Sequence, residues 1–192
     1  MKLSVVIPAY NEEESIPETL RSLYKTLNEA QIPHEIWVTN DNSKDQTEAV
    51  LKALQAEIPT LVFETNKGPN GFGYAVRYGL ERFSGDCVAV FMADMSDDPA
   101  DLVRYYRTML EKDVDAVFGS RWIKGGKVVD YPQVKKVINR IANFIIQIVM
   151  GIKYNDTTNA FKLYKRHTIE GVKPFLSPHF NLTVEIPLKA MV

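Results

Sequence analysis

Residues 88–98 read VAVFMADMSDD, an apolar run that ends in a cluster of carboxylates. The run predicts a strand at residues 87–92 that is buried on both faces, with the acids at the point where it surfaces. Similar short runs occupy residues 3–7, 35–39, 61–64 and 116–119, and amphipathic segments occupy residues 15–30, 45–57, 72–83 and 99–111. This alternation predicts an α/β fold with a mostly parallel central sheet flanked by helices.

Length and composition predict one soluble globular domain. The chain has 192 residues, of which 45% are hydrophobic and 24% are charged, and its net charge of -1 gives no sign of a nucleic-acid partner. Cys87 is the only cysteine, which excludes an internal disulfide. The N-terminus lacks a signal-peptide pattern, so we expect a cytoplasmic protein. The chain ends inside a helix-like segment, so either the natural protein stops there or further residues are missing.

Polar segments follow four of the predicted strands. They read PAYNEEE, NDNSKDQT, ADMSDDP and SRWIKGG, and the carboxyl ends of parallel strands meet at one edge of a sheet, where ligands bind. That edge is predicted to gather Glu12, Asp41, Asp45, Asp94, Asp97 and Arg121. No G-x-G-x-x-G turn follows the first strand and no P-loop is present, which argues against dinucleotide-binding oxidoreductases and P-loop NTPases.

Five motifs in order carry a family resemblance. SVVIPAYNEEESI, VTNDNSKDQT, VFMADMSDDP, FGSR and DTTNAFKLYKR resemble the successive motifs of inverting glycosyltransferases of family 2 with the GT-A fold. Among these, the sequence is most similar to the polyprenyl-phosphate sugar synthases of the dolichyl-phosphate mannose synthase type. The resemblance implies one GT-A catalytic domain over residues 1–192, with a nucleotide-sugar-binding half at about residues 1–120 and an acceptor-binding half at about residues 121–192.

The resemblance implies a Mg²⁺ or Mn²⁺ site after the fourth strand. Oxygen ligands suit both ions, and one or two carboxylates suffice when phosphates supply the remaining ligands. We expect Asp94 to be a ligand, Ser96 to be a weaker candidate and Ala93 to line the donor site. Met92 stands where the family usually has the first aspartate of its motif. Asp98, which precedes Pro99, is interpreted mainly as a helix N-cap.

Further residues receive roles from the same resemblance. Asp41 is expected to accept hydrogen bonds from a uracil or guanine base, although Asn40 replaces the other acid of the usual pair. Asp45 and Thr47 are also consistent with simple capping of the next helix. Arg121 is expected to bind phosphate through its planar guanidinium. The nucleotide pocket is expected to be lined by Pro8, Ala9, Tyr10 and Glu12.

A basic segment precedes an apolar one in the second half of the chain. Lys124 and Lys127 fall in a polar, Gly-containing stretch that predicts a loop, and the spacing of Lys135, Lys136 and Arg140 predicts that they share much of one helical surface. The last three are expected to join Arg121 at the acceptor phosphate. Residues 141–152, IANFIIQIVMGI, are too few to span a bilayer. They are consistent with a helix lying in the membrane interface or, alternatively, with a core or homo-oligomer interface helix.

These expectations combine into a function: metal-assisted transfer of a sugar from a UDP- or GDP-sugar to a polyprenyl phosphate, with inversion, at the cytoplasmic face of a membrane. An ionised phosphate acceptor needs no general base, and His34, His167 and His179 lie outside the motifs. Two alternatives stay open. The same fold could use a polysaccharide or other sugar acceptor, or it could bind nucleotide sugars without turnover.

Overall fold

The computed structural model describes residues 1–123, 126 and 132–191. Within these residues the chain forms six strands and seven helices, which alternate over the first half as predicted. The strands are β1 (Leu3–Ala9), β2 (His34–Asn40), β3 (Leu61–Thr65), β4 (Cys87–Val90), β5 (Ala116–Phe118) and β6 (Lys162–Lys165). The helices are α1 (Ile16–Glu29), α2 (Thr47–Glu57), α3 (Phe72–Leu80), α4 (Pro99–Lys112), α5 (Gln133–Met150), α6 (Arg166–Gly171) and α7 (Leu182–Ala190).

All six strands belong to one sheet in the order β3-β2-β1-β4-β6-β5. Strand β1 lies parallel to β2 and β4, and β2 lies parallel to β3. Strand β6 is antiparallel to both of its neighbours, so β5 runs in the same direction as the first four strands. The carboxyl ends of β1, β2, β4 and β5 therefore share one edge of the sheet, called the carboxyl rim below. The predicted sheet is confirmed.

Helices cover both faces of the sheet because alternate strand residues point to opposite sides. Leu3, Val5 and Ile7 of β1 pack with residues of α1, α2 and α4, whereas Val6 packs on the other face with residues of α3, α6 and α7. Helix α5 contributes to neither core, and its only buried residue is Asn143. The sheet and six helices thus form a rigid support, and α5 lies at its periphery.

Strand β4 is shorter than the predicted strand at residues 87–92, because it ends at Val90. The amide of Phe91 still donates to the carbonyl of Val6 over 3.0 Å. The amide of Met92 instead donates to the side chain of Asp97 over 2.9 Å. Because the Met92 amide bonds to this carboxylate and not to a neighbouring strand, the strand ends two residues before the predicted end at residue 92.

Strand β6 lies in the DTTNAFKLYKR motif and has no strand-like pattern in the sequence. The strand reads KLYK, and its first residue, Lys162, is 1% exposed despite its charge. A buried lysine breaks the apolar pattern by which the other strands are recognised. Strand β6 therefore depends on backbone pairing with β4 and β5, which lie more than 40 residues away in sequence.

Candidate functional site

The first two loops of the carboxyl rim are hydrogen-bonded to each other. The amide of Glu12 donates to the Thr47 hydroxyl over 2.8 Å, and the amide of Glu13 donates to the Asp45 carboxylate over 3.1 Å. The other oxygen of Asp45 accepts the amide of Thr47 at the start of α2 over 3.0 Å. Asp45 therefore accepts the first helical amide of α2 and also fixes the loop after β1, although the N-cap position itself is Gln46, which makes no side-chain capping bond.

The residues expected at the nucleotide pocket lie together at the end of β1. Pro8 and Ala9 are buried within the strand, whereas Tyr10 is 51% exposed at the rim. Glu12 follows as a half-buried side chain that accepts a hydrogen bond from the hydroxyl of Ser15. Of the four residues expected at the nucleotide pocket, Tyr10 is therefore the most accessible.

Asp41 is buried at the end of β2, with 4% of its surface exposed. One carboxylate oxygen accepts the side-chain amide of Asn66 over 2.9 Å, and the other accepts the backbone amide of Gly71 over 2.6 Å. Asp41 thereby ties the loop between β3 and α3 to the rim. Because an ionised carboxylate has about four lone-pair positions, these bonds leave it able to accept further donors.

The loop after β4 presents Asp94 and Ser96 to solvent, and both residues are exposed. Asp94 accepts the amide of Ser96 over 3.0 Å, and Met95 between them has a positive φ of 62°. Buried Ala93 anchors the loop, because its carbonyl accepts the hydroxyl of Thr19 over 2.8 Å. Within the described ranges, no group of three or more His, Cys, Asp or Glu side chains is arranged to hold a metal ion.

The next two acids have structural roles. Asp98 caps α4 by accepting the amide of Ala100 over 2.8 Å, with Pro99 in the first turn, which confirms the N-cap interpretation. Asp97 accepts the amide of Met92. Burial raises the pKa of Asp97 to about 7, and the charge of Asp94 adds to this rise. The Met92 amide and the charge of Arg121 act in the opposite direction.

Arg121, after β5, forms a bidentate pair with Asp156. Its Nε and Nη2 donate to the two carboxylate oxygens over 2.9 and 2.6 Å, and its backbone amide donates over 2.9 Å. Asp156 is 0% exposed, whereas the arginine side chain is 26% exposed. The edge of the guanidinium formed by Nε and Nη2 therefore meets a protein carboxylate. A phosphate would have to approach along another edge.

Among the described residues, three cations lie close to the indole ring of Trp122. The Cζ atoms of Arg121 and Arg140 lie 5.5 Å from a ring centroid, and the Nζ of Lys136 lies 5.9 Å from it. Such contacts favour a cation over the ring face and allow like charges to gather. Lys135, which precedes Lys136 in α5, is exposed. Lys124 and Lys127 lie outside the described residues.

Helix α5 turns its polar face toward the site. Asn143 is 1% exposed, and its side chain donates to Asn139 and to the Thr158 hydroxyl, the latter over 3.1 Å. Asn139 also donates to the Thr158 hydroxyl, over 2.8 Å. Thr158 lies two residues after Asp156, so α5 and Arg121 are held by the same short loop at residues 156–159.

The opposite face of α5 is an apolar stripe in which every side chain is between 42% and 73% exposed. The spacing places most of them on one side of the helix. No described helix combines the length and apolar character needed to cross a membrane. The stripe consists of Val134, Val137, Ile138, Ile141, Phe144, Ile145, Ile148, Val149 and Met150.

Sequence reasoning missed several residues that build this site. It quoted the DTTN segment without giving roles to Asp156 or Thr158, and it did not single out Trp122. Asn143 was visible only as a polar break in an apolar run. A buried position for that amide would have predicted which face of α5 points inward.

Comparison with known proteins agrees with this architecture. The family model described as "Glycosyl transferase family 2" matches residues 4–172. A dolichol-phosphate mannosyltransferase from Pyrococcus furiosus is 31% identical and aligns with 98% of this chain and 53% of its own length. An undecaprenyl-phosphate mannosyltransferase from Micrococcus luteus is 31% identical and aligns with 90% of this chain and 70% of its own length. The chain thus spans about half the length of the first relative.

Solved structures of lower identity share the fold. Glucosyl-3-phosphoglycerate synthase from Mycobacterium tuberculosis, in complex with Mn²⁺, UDP and glucosyl-3-phosphoglycerate, is 20% identical with a TM-score of 0.70, over 97% of this chain and 63% of its own. S. aureus TarS 1-349 is 19% identical with a TM-score of 0.66, over 100% of this chain and 56% of its own. The GT-A fold that the sequence resemblance implies is therefore confirmed.

Proposed function

The chain belongs to glycosyl transferase family 2, and we propose that it transfers a sugar from a UDP- or GDP-linked sugar to a polyprenyl phosphate, with inversion at the anomeric carbon. The observation that carries the proposal is an exposed carboxylate, Asp94, on the same rim as the cations around Trp122. Asp97, on the same loop as Asp94, is affected by the charges of both Asp94 and Arg121, which supports a shared electrostatic environment at the rim. The two mannosyltransferase relatives, named for dolichol and undecaprenyl phosphates, support this acceptor.

In this proposal residues 1–120 bind the donor and residues 121–192 bind the acceptor. The nucleotide lies against Pro8, Ala9, Tyr10 and Glu12, and its base donates hydrogen bonds to Asp41. The bonds from Asn66 and Gly71 support this role, because they fix the carboxylate before the base arrives.

Asp94 and Ser96 would hold a Mg²⁺ or Mn²⁺ ion. Their hard oxygen atoms and their exposure fit such an ion, provided that the donor diphosphate supplies further ligands. When bound, the ion would offset the negative charge that develops on the departing diphosphate. Met92 supplies no carboxylate to the motif, so the proposal assigns most ligands to the donor. The mycobacterial neighbour of the same fold is described in complex with Mn²⁺ and UDP, which is consistent with a divalent ion in this proposal.

In this proposal the protein positions the donor and the acceptor phosphate and offsets the negative charge of both. A phosphate monoester has a second pKa around 6 and attacks the anomeric carbon without a general base. Arg121, Lys136 and Arg140, with Lys135 nearby, would hold this phosphate in line with the departing diphosphate. Well-oriented reactants gain roughly 7–11 kcal/mol in barrier reduction. His34 fits this reading, because it is buried and its ring contacts the Ile32 carbonyl and the Thr60 hydroxyl.

We place the reaction at the cytoplasmic face of a membrane, with α5 lying in the interface. The apolar stripe supports this location, because exposed apolar surface of that extent marks an interaction site. Lys135, Lys136 and Arg140 flank the stripe at the start of α5, and basic residues beside an apolar face favour anionic lipid. The polar face of the same helix would then place the acceptor phosphate beside Arg121.

A donor panel tests the proposal. Purified protein is incubated with UDP- and GDP-sugars and a polyprenyl phosphate, with and without Mn²⁺, and glycolipid and nucleoside diphosphate are measured. We expect metal-dependent transfer that Asp94→Ala lowers by about 100-fold or more, the scale for losing one charge-stabilising group. Glu111→Ala, on the exposed surface of α4, is the matched control.

The same panel separates the alternatives. Transfer to a sugar hydroxyl but not to lipid phosphate would favour a polysaccharide transferase. Donor binding without release of nucleoside diphosphate would favour a binding module, which is the outcome suggested by Met92 in the metal motif. Full metal-dependent turnover by Asp94→Ala would refute the assignment of the metal ligand.

A further inference from the structure

Lys162 is a buried cation that the proposed reaction does not use. Its side chain is 1% exposed at the start of β6. The ammonium group donates to the carbonyls of Thr157 over 3.0 Å, of Thr183 over 3.2 Å, and of Asn159. A buried charge is unfavourable unless it is hydrogen-bonded, and these three carbonyls provide the hydrogen bonds. The lysine thus joins the loop at residues 156–159 to helix α7.

The loop at residues 156–159, which Lys162 contacts through backbone carbonyls, also contacts Arg121 and helix α5 on the acceptor side of the site. Asp156 accepts three hydrogen bonds from Arg121, and Thr158 accepts hydrogen bonds from Asn139 and Asn143 of α5. Lys162 bonds to the carbonyls of Thr157 and Asn159, which flank Thr158 on either side. Movement of these carbonyls would therefore move both the arginine and the helix.

The charges of Asp156 and Arg121 both affect the protonation of Lys162. Burial lowers the pKa of Lys162 to about 7, Asp156 opposes this change, and Arg121 adds to it. The ring of Tyr154 lies 5.8 Å from the ammonium group. Arg121 and Lys162 both carry positive charge near Asp156, so an anion bound at Arg121 favours the protonated lysine.

We infer that Lys162 is a positioning residue for the acceptor phosphate, acting through the loop at residues 156–159 and the Asp156–Arg121 pair. The inference rests on the proposed function for the identity of the ligand. Lys162 touches neither substrate, so its loss should weaken acceptor binding and leave donor binding unchanged.

Calorimetric titration tests this separation, with farnesyl phosphate as the acceptor probe and UDP and GDP as donor probes. We expect Lys162→Met to raise the Kd for farnesyl phosphate by about 10-fold, the scale for a residue that couples to a site without touching the ligand. Lys162→Arg should recover most of the affinity, and neither variant should change nucleotide binding. Lys165→Met, on the same strand, is the control. Unchanged farnesyl phosphate binding, or equal weakening of both ligands, would overturn the inference.

A pH series decides the matter if Lys162→Met does not fold. With a second pKa around 6, the acceptor phosphate is already mostly doubly ionised at pH 7, and its remaining ionisation above pH 7 would only strengthen binding, so a loss of affinity there reports on the protein. The wild type should bind farnesyl phosphate less tightly as the pH rises from 7 to 9, because Lys162 loses its proton. Lys162→Arg stays charged and should show a flat profile. Equal declines in both proteins would overturn the inference.

Amide hydrogen exchange separates this inference from the proposed function. If the wild type does not bind farnesyl phosphate, the proposed acceptor is wrong, but the positioning role still predicts a change in the loop. Exchange at the Arg121 amide, which donates to Asp156, should be faster in Lys162→Met than in Lys165→Met. Exchange within β1 should be the same in both. If the Arg121 amide exchanges at the same rate in Lys162→Met and Lys165→Met, the positioning role is refuted.

Discussion

Replacing three residues of the α5 stripe by serine, Ile141→Ser, Phe144→Ser and Ile148→Ser, should strongly weaken membrane binding without unfolding the protein. Their side chains are 54%, 61% and 64% exposed, so the folded state gains little from them. Full burial of such a side chain contributes about 1.5–3 kcal/mol, and burial of the exposed portion in lipid contributes about 1 kcal/mol each. The triple variant should therefore lose about 3 kcal/mol of lipid affinity, or about 100-fold in Kd.

Sedimentation with vesicles measures this loss. Vesicles of phosphatidylcholine with and without phosphatidylglycerol separate the apolar contribution from that of Lys135, Lys136 and Arg140, each worth about 1 kcal/mol near an anionic surface. Leu110→Ser, an exposed apolar position on α4, is the matched control. Wild-type affinity in the triple variant would refute the reasoning. If the wild type instead forms a dimer that does not bind vesicles, and the triple variant is monomeric, the stripe would be assigned to contact with a second copy of the chain.

Three further predictions concern stability. Glu35 is buried, which by itself raises its pKa, but hydrogen bonds from neighbouring donors outweigh this and lower the pKa to about 2, below its ordinary 4.5. The stability this provides is present above pH 4.5 and is lost as the pH falls toward 2, so urea unfolding should show the wild type losing about 3 kcal/mol more than Glu35→Gln over that range. Asp98→Ala should lower the free energy of unfolding by about 1 kcal/mol through loss of the N-cap, with nucleotide affinity unchanged by calorimetry. Gly73→Ala would place its Cβ 2.4 Å from the carbonyl carbon of Pro178 and should lower the Tm by an amount equivalent to about 1–3 kcal/mol, whereas Gly171→Ala, with no atom within 4 Å, should not.

The first half of the fold could be predicted because its signals are local. Continuous apolar runs at β1, β2 and β4 identify buried parallel strands, and the direction of those strands fixes which loops meet at the carboxyl rim. The Asp98 and Pro99 pair marked the start of α4 correctly because both residues act on their own helix. Such features depend on neighbours a few residues away.

The second half resisted prediction because its partners are distant in sequence. Arg121 was expected to present its guanidinium to phosphate, and nothing near it in sequence indicates the bidentate pair with Asp156, 35 residues later. Helix α5 has a strong amphipathic pattern, which usually predicts an apolar face turned to the core. Here Asn143 faces inward and the apolar face points outward. Periodicity gives the faces of a helix but not the direction in which each one points.

The interleaving of β6 between β4 and β5 has a consequence for engineering. Truncation at residue 120 would remove the strand that pairs with β5 and would expose an edge of β4, so residues 1–120 are not expected to form an autonomous fragment. Chimaeras between relatives should exchange the chain between β5 and β6 and keep the host's own β6, because that strand completes the central sheet.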